Sequence, residues 1–360
     1  MSLPATMRAM VTMGHGDLDQ MVLHEDWPRP APAADEVLIR VAACGLNNTD
    51  VNTRSGWYSK TVTDATTGGA FEEVGEDDPT WGGAPITFPR IQGADVCGEI
   101  VAVGDSVPPS RIGERVITDG WLRDANDPEN KNKTGYFGSE RDGGFAEFTT
   151  TPSRNAFRVH SELTDAELAT FSCSYSTAEG MLTRAGVGAE DTVLVPGASG
   201  GVGGALVQLA KRRGARVIAM ASEAKHDSVA TLGPDRILPR SPEDLRATLG
   251  DEKVTVVADV VGGPGWAQLV DCLERGGRYT CSGAIAGPMV EMDLRTFYLR
   301  DLTFTGSTVI PAEVMPNLIS YIEGGDIKPV LAASYPLEKL REAQAAFIAK
   351  TYTGNIVVMP

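Results

Sequence analysis

The stretch Val193–Gly214, "VLVPGASGGVGGALVQLAKRRG", decides how the whole chain is read. It opens with an apolar run that predicts a buried strand, breaks at a cluster of glycines, and continues as an amphipathic helix closed by Gly214. At the break lies Ala198-x-Gly200-x-x-Gly203. A lone glycine motif carries little weight. A strand directly before it and a helix directly after it make it a dinucleotide-binding signature. Glycines allow the tight turn and let backbone N–H groups at the helix start approach a pyrophosphate. Ala198 stands where the first glycine is usual and adds only a methyl. Gly197, Ala198, Gly200, Gly201, Val202 and Gly203 are therefore candidate cofactor-binding residues. The competing reading is a glycine-rich β–α turn without a ligand.

Strand and helix patterns alternate on both sides of this turn. From about Ser161 the chain runs through "SELTDAELATF" (helix), "DTVLVPG" (strand), the glycine turn and its helix, then "ARVIAMAS" (strand) and "KHDSVATLG" (helix). It continues with "RILP", "SPEDLRATLG", "KVTVVADVVGG", "GWAQLVDCLERGG" and "RYTCSGA" as strand, helix, strand, helix and strand. Such alternation predicts an α/β domain with a doubly wound parallel sheet. The earlier part reads differently. "MRAMVTM", "EVLIRVAACG", "CGEIVAVG", "ERVITDG" and "GGFAEFTT" are short strands between Gly, Pro and acidic turns, which predicts an antiparallel, barrel-like domain. After "DLTFTGS" come two helices, "PAEVMPNLISYIEGG" and "PLEKLREAQAAFIAK", and a closing strand, "GNIVVMP". Between the strand regions, Thr61–Pro89 lacks clear periodicity. It is expected to be a lid carrying Phe71 or Trp81, or else a surface excursion or dimer contact.

The end of the strand after the glycine turn should choose the cofactor. An NAD site places a carboxylate there for the ribose 2′-OH. Here "RVIAMA" ends at Ser222, with Glu223 next and Lys225 after it. A small hydroxyl residue with a lysine three positions on suits a 2′-phosphate, so NADP is expected, although Glu223 offers the ribose an alternative partner. Ser282 and Gly283 follow a later strand at the carboxyl end of the sheet, where nicotinamide contact is expected.

Bulk properties narrow the remainder. The 360 residues exceed one comfortable core, and 42% hydrophobic with 22% charged residues is ordinary for a soluble protein. A formal charge of −16 argues against a nucleic-acid partner. The five cysteines, Cys44, Cys97, Cys173, Cys272 and Cys281, form no C-x-x-C pair and suit reduced thiols in the cytoplasm. No secretory signal or membrane span is expected.

With "GLNNTDVNTRSGWY", "FPRIQGADVCGEIVAVG", "GERV", "DGGFAEF", the glycine turn and "GNIVV" in view, the chain resembles the medium-chain dehydrogenase/reductase superfamily over nearly its whole length. The resemblance implies a GroES-like β-barrel catalytic domain at residues 1–160 and 307–360, and a Rossmann domain at 161–306. It also implies a homodimer, through a strand similar to "DLTFTGSTV". Zinc-dependent members hold catalytic zinc with Cys, His and Cys; the matching positions here are Asn47, Ala94 and Cys173. One ligand in three implies no metal, and the four-cysteine structural lobe is absent too. A site rebuilt from Cys44, Asp95 or Cys97 is the alternative, and a nucleotide-binding protein without turnover is another.

The zinc-free branch resembles quinone oxidoreductases and enoyl reductases, which use NADPH to reduce a conjugated carbonyl compound or a quinone. By that resemblance Asn47 is the candidate amide donor to the substrate oxygen and Tyr58 the candidate proton donor. Asn47 as a loop-orienting residue and Tyr58 as packing against Trp57 are the plainer readings. Asn52 stands where quinone reductases often carry a tyrosine. Asp50 is expected to orient the loop or Arg54. Thr177, in "CSYSTA", joins the cofactor-binding candidates.

Overall fold

The computed structural model describes residues 3–67, 69, 71 and 85–360, and the chain divides into two units. The first comprises Met1–Val62, Thr67–Cys173 and Met315–Pro360; the second comprises Thr63–Thr66 and Ser174–Val314.

In the first unit, β1 (Thr6–Thr12) pairs antiparallel with β2 (Met21–Pro28). β3 (Glu36–Gly45) leads into helix α1 (Asn48–Ser55). Then follow β4 (Arg90–Ile91), β5 (Asp95–Val103), β6 (Arg115–Thr118), β7 (Trp121–Leu122), β8 (Gly135–Tyr136), β9 (Phe148–Pro152) and β10 (Ala156–Arg158). Helix α2 (Asp165–Leu168) carries a capping box, Thr164 with Glu167. β3 is the spine of this unit. It is buried at nearly every position, because β5 takes one edge while β9 and the C-terminal strand share the other.

Helix α3 (Ser172–Arg184) spans the boundary between the units. The second unit continues with β11 (Thr192–Val195), α4 (Gly201–Arg212), β12 (Arg216–Ala221), α5 (His226–Ala230), β13 (Arg236–Pro239) and α6 (Leu245–Leu249). It closes with β14 (Val254–Asp259), α7 (Trp266–Asp271), β15 (Leu273–Cys281), α8 (Leu294–Tyr298) and β16 (Thr303–Gly306). Its sheet is wholly parallel in the order β13-β12-β11-β14-β15-β16. The strands read as continuous apolar runs because both faces of such a sheet are covered. One helix is shorter than its pattern. In "GWAQLVDCLERGG" the helix stops at Asp271, and buried Leu273 already pairs with Val254 as the start of β15.

The chain then returns to the first unit with α9 (Val314–Glu323), β17 (Leu331–Pro336), α10 (Leu340–Ala349) and β18 (Asn355–Met359). β17 and β18 pair parallel, so the first unit is not purely antiparallel. The reason is local: α10 crosses between them, giving one β–α–β turn inside an otherwise antiparallel sheet.

The units part at Cys173 and Val314, later in both cases than the boundaries read from sequence at 160/161 and 306/307. Helix α2 packs on β3, β5, β17 and β18, which keeps residues 161–173 with the barrel. Arg184 donates to the carbonyls of Gly306 and Val309, which holds the segment after β16 with the parallel sheet. Of Thr61–Pro89, residues 63–66 join the second unit, where Thr66 N–H donates to Ile285 O at 3.0 Å. Trp81, one of the two expected lid aromatics, lies outside the described residues. No helix among the described residues is long and apolar enough to cross a membrane.

Candidate active site

The first unit assembles its chemistry where β3 runs into α1. Gly45 is paired in register with Asp95; a Cβ on Gly45 would lie 2.3 Å from Ala169 O and 3.0 Å from Asp95 Cβ. Only a glycine lets β3 pass there. Two residues on, Asn47 is extended (φ −131°, ψ 164°) and is the N-cap of α1. Asp50 reaches back to it: Oδ2 accepts the Asn47 N–H at 2.8 Å, while Oδ1 accepts the Gly93 N–H at 3.1 Å. Burial pushes the Asp50 carboxyl up to about 7, and those two N–H donors pull against the rise. Asp50 therefore orients the loop and not Arg54, whose guanidinium binds Gln344 Oε1 and Gly16 O.

Asp95 is wholly buried, and its Oδ1 accepts the Cys173 N–H at 2.9 Å. Burial lifts its carboxyl to about 8, opposed chiefly by the neighbouring Asn47 amide. Asn47 Nδ2 and Asp95 Oδ2 nevertheless both stop short of a formed hydrogen bond. Asp95 thus bridges the surroundings of Asn47 and Cys173, two of the three positions that carry zinc ligands in zinc-dependent relatives. The third, Ala94, is buried and offers a methyl. Among the described residues, no group of three His, Cys, Asp or Glu side chains is arranged to hold a metal ion.

Tyr58 belongs to the same cluster. Its hydroxyl meets the Asn52 side chain, and Trp57 packs edge-on against its ring. Burial raises the phenol above its ordinary range, and the Cys173 and Asp50 charges add to the rise, while the hydrogen bond from Asn52 lowers it. In the sequence Asn52 is only a missing tyrosine; the fold makes it the partner of Tyr58. Tyr136 on β8 carries no signal in the sequence. It is buried, stacks edge-on with Trp121, and hydrogen-bonds the Cys173 thiol. No spacing in the sequence links Tyr136 to Cys173, because they lie far apart in the chain, on β8 and at the start of α3.

The second unit builds its candidate site mainly from backbone. Gly197 takes the left-handed conformation (φ +65°), Gly200 caps α4 in extended geometry, and α4 begins at Gly201. A Cβ on Gly203 would sit 2.2 Å from Gly197 O, so the helix lies directly on the turn. The first N–H groups of a helix have no partner inside it, which leaves those of Gly201, Val202 and Gly203 available to an anion. Ala198 is buried, and its N–H is spent on Met220 O at 3.0 Å, so the methyl faces protein. Thr177 stands half-buried on α3, which is tied to α4 by Gln208 Nε2 donating to Tyr175 Oη at 2.9 Å.

Ser222 follows β12 and is the N-cap of the short turn Glu223–Lys225. Burial lowers the Lys225 pKa, and the charge of Arg240 lowers it further. Ser282 and Gly283 leave β15 beside the loop after β14. Asp259 fixes that loop: its carboxylate accepts the N–H groups of Val261 and Gly262 and the Tyr279 hydroxyl at 2.7 Å. The loops from β14 and β15 are joined by Ala286 N–H to Val261 O and Gly263 N–H to Gly287 O. An open groove of 1120 Å³ in the first unit, near Arg158, His160 and Glu323, contains none of the candidate residues.

Comparison with known proteins agrees with the fold. Residues 33–161 match the alcohol dehydrogenase GroES-like domain family, and residues 201–324 match the zinc-binding dehydrogenase family. A solved structure from Sinorhizobium meliloti 1021, provisionally assigned as an alcohol dehydrogenase, is 45% identical with a TM-score of 0.90, covering 99% of this chain and 98% of that one. The quinone oxidoreductase of Homo sapiens is 25% identical, covering 98% of each chain. The chloroplastic NADPH-dependent alkenal/one oxidoreductase of Arabidopsis thaliana is 26% identical, covering 100% of this chain and 81% of its own.

Proposed function

The chain is a member of the medium-chain dehydrogenase/reductase superfamily, in its quinone and enoyl reductase-like branch, and we propose that it is a zinc-independent, NADPH-dependent reductase of activated alkenes or quinones. The observation that carries this reading is the donor set at Asn47, Ala94 and Cys173. Catalytic zinc needs three protein ligands drawn from thiolate, imidazole and carboxylate, and an amide and a methyl supply none of these. The activities named for the human and Arabidopsis relatives support the substrate class.

The residues fit a dinucleotide. The turn has no room for a side chain at Gly203, and the N–H groups of Gly201, Val202 and Gly203 would hold the pyrophosphate. Ser222 and Lys225 would hold the 2′-phosphate, with Ser282 and Gly283 at the nicotinamide end. Bound there, the cofactor supplies a hydride for the β-carbon of a conjugated carbonyl. The chain itself has two tasks. The Asn47 amide donates to the substrate oxygen as negative charge grows on it. The Tyr58 hydroxyl delivers a proton to the α-carbon. Burial keeps that phenol protonated at neutral pH, and the Asn52 side chain stabilises the phenolate left behind. Asp50 holds the Asn47 loop in place, and Asp95 ties β5 to the start of α3 at Cys173.

All five cysteines are free, which supports a reducing, cytoplasmic location. β16 is an edge strand of the parallel sheet, and Met289, Leu294 and Tyr298 before it are exposed, which supports a homodimer formed through this side. The deciding experiment measures NADPH oxidation against a panel of enones, enals and quinones, with zinc quantified in the same preparation. Turnover without stoichiometric zinc is expected. Activity that requires bound zinc would instead establish an alcohol dehydrogenase with a rebuilt site. Tight NADPH binding with no turnover across the panel would establish a nucleotide-binding protein.

A further inference from the structure

We propose that Cys173 is a covalent modification site at which the protein captures its own class of substrate, a conjugated enone or enal, as a thioether; the proposal rests on the alkene-reductase reading above. Of the three positions that hold zinc in zinc-dependent relatives, Cys173 alone keeps a ligand-type side chain, and the reduction gives its sulfur no task. Cys44, Cys97 and Cys272 are buried, while Cys173 and Cys281 are half-buried, so these two are open to a reagent.

Three features of the first unit favour Cys173. Its sulfur accepts a hydrogen bond: the contact raises the Tyr136 phenol, so the hydroxyl keeps its proton and donates. The residue also lies in the first turn of α3, where helix N–H groups favour a negative atom, a setting that makes a thiol nucleophilic. Asp50 and Asp95 oppose that charge, but burial lifts their carboxyls to about 7 and about 8, so neither is fully ionised at neutral pH. The third feature is independent of the sulfur and points to a ligand. Asn47 is only 6% exposed, yet its Nδ2 lacks a formed hydrogen bond. Beside it is Asp95, whose other oxygen holds the Cys173 N–H at 2.9 Å. A buried donor left unsatisfied is destabilising, and a carbonyl oxygen placed next to the sulfur satisfies it. Cys281 sits differently, among Tyr279, Asp259 and the Gly283 carbonyl that accepts its S–H at 3.3 Å, and burial raises its thiol.

A carbonyl oxygen on Asn47 draws electrons from the conjugated alkene whichever nucleophile arrives, hydride or sulfur. The sulfur forms a bond to the β-carbon as the C=C π bond opens towards the oxygen, and the proton of the thiol ends on the α-carbon. Tyr58, whose phenol feels the charge of Cys173, is the group to pass that proton on. The sum is addition of S–H across C=C, with no oxidant, reductant or NADPH consumed. Hydride and sulfur therefore compete for one carbon.

The test treats the unmodified protein with methyl vinyl ketone, with and without NADPH, and maps thioethers by peptide mass spectrometry. One adduct is expected, on Cys173, formed about tenfold or more faster than on Cys281 and suppressed while NADPH turns the enone over. The saturated ketone butan-2-one should give none. Asn47→Ser should slow the adduct by about 10²-fold, while methyl methanethiosulfonate, which needs no oxyanion donor, still labels Cys173 at the unmodified protein's rate. Equal labelling of Cys173 and Cys281 by the enone, an undiminished rate in Asn47→Ser, or a Cys173 that neither reagent reaches would overturn the proposal. NADPH oxidation by the same enone separates the two readings. Turnover without the adduct refutes the capture site and leaves the reductase standing; the adduct without turnover supports the capture site and refutes the reductase.

Discussion

The glycine turn of the second unit and the Asn47–Tyr58 cluster of the first are both sites, built in opposite ways. The turn is made of backbone: its decisive contacts are the Gly203 position pressed on Gly197 O and the N–H groups at the start of α4. The cluster is made of side chains buried together: Asp50, Asp95, Tyr58, Tyr136 and Cys173, drawn from α1, β5, the segment after α1, β8 and α3. A backbone site tolerates few residue types at fixed positions and carries almost no titratable groups. A side-chain site tolerates shape changes better but couples its chemistry to pH.

Substitutions should expose that difference. The largest effect belongs to Gly203→Val. A Cβ there meets backbone at 2.2 Å, so overpacking should cost about 3 kcal/mol or more and abolish NADPH binding. Thermal unfolding and fluorescence titration check both effects; a variant that binds normally would overturn the account of the turn. Next is Tyr58→Phe, expected to slow alkene reduction by about 10²–10⁴-fold with cofactor affinity unchanged. An unchanged rate, with normal deuterium placement at the α-carbon, removes Tyr58 as the proton donor.

Asn47→Ser keeps an N-capping side chain but loses the amide, so folding should survive while kcat falls by about 10²-fold. A purely structural Asn47 would show the reverse, lower stability with kcat intact. The smallest effect concerns pH. A buried carboxyl whose folded pKa is raised holds its proton after the unfolded chain has released its own. Its contribution to stability therefore declines as pH rises, from the ordinary value of 3.8 to about 8 for Asp95. Asp95→Asn carries no such penalty and can still accept the Cys173 N–H. Its melting temperature relative to the unmodified protein should climb between pH 4 and 8, and a flat difference would mean Asp95 is ionised throughout.

The same contrast explains how much of the molecule could be read from sequence. The second unit was legible almost element by element, because each buried strand is a continuous apolar run and the turn is marked by residues that only its geometry requires. The end of α7 was not, since "LVDCLERGG" suits a helix until Leu273 is claimed by its pairing with Val254. In the first unit the strands were legible, but the parallel β17–β18 pair was not, because pairing direction depends on where α10 sends the chain. Asn47 and Tyr58 could be picked out by resemblance. Asn52 facing Tyr58, Asp95 between Asn47 and Cys173, and Tyr136 on the Cys173 thiol are long-range contacts that no local pattern encodes.

The place of β18 in the sheet has a consequence for how the protein is made. β18 lies between β3 and β17, yet it is formed by residues 355–359. During synthesis the second unit leaves the ribosome complete, with all six strands in hand, while the first must wait with the Cys44–Gly45 end of one β3 edge uncovered. The half of the molecule that begins first therefore folds last. Its exposed strand edge is the stage at which a chaperone, or aggregation, has its opportunity.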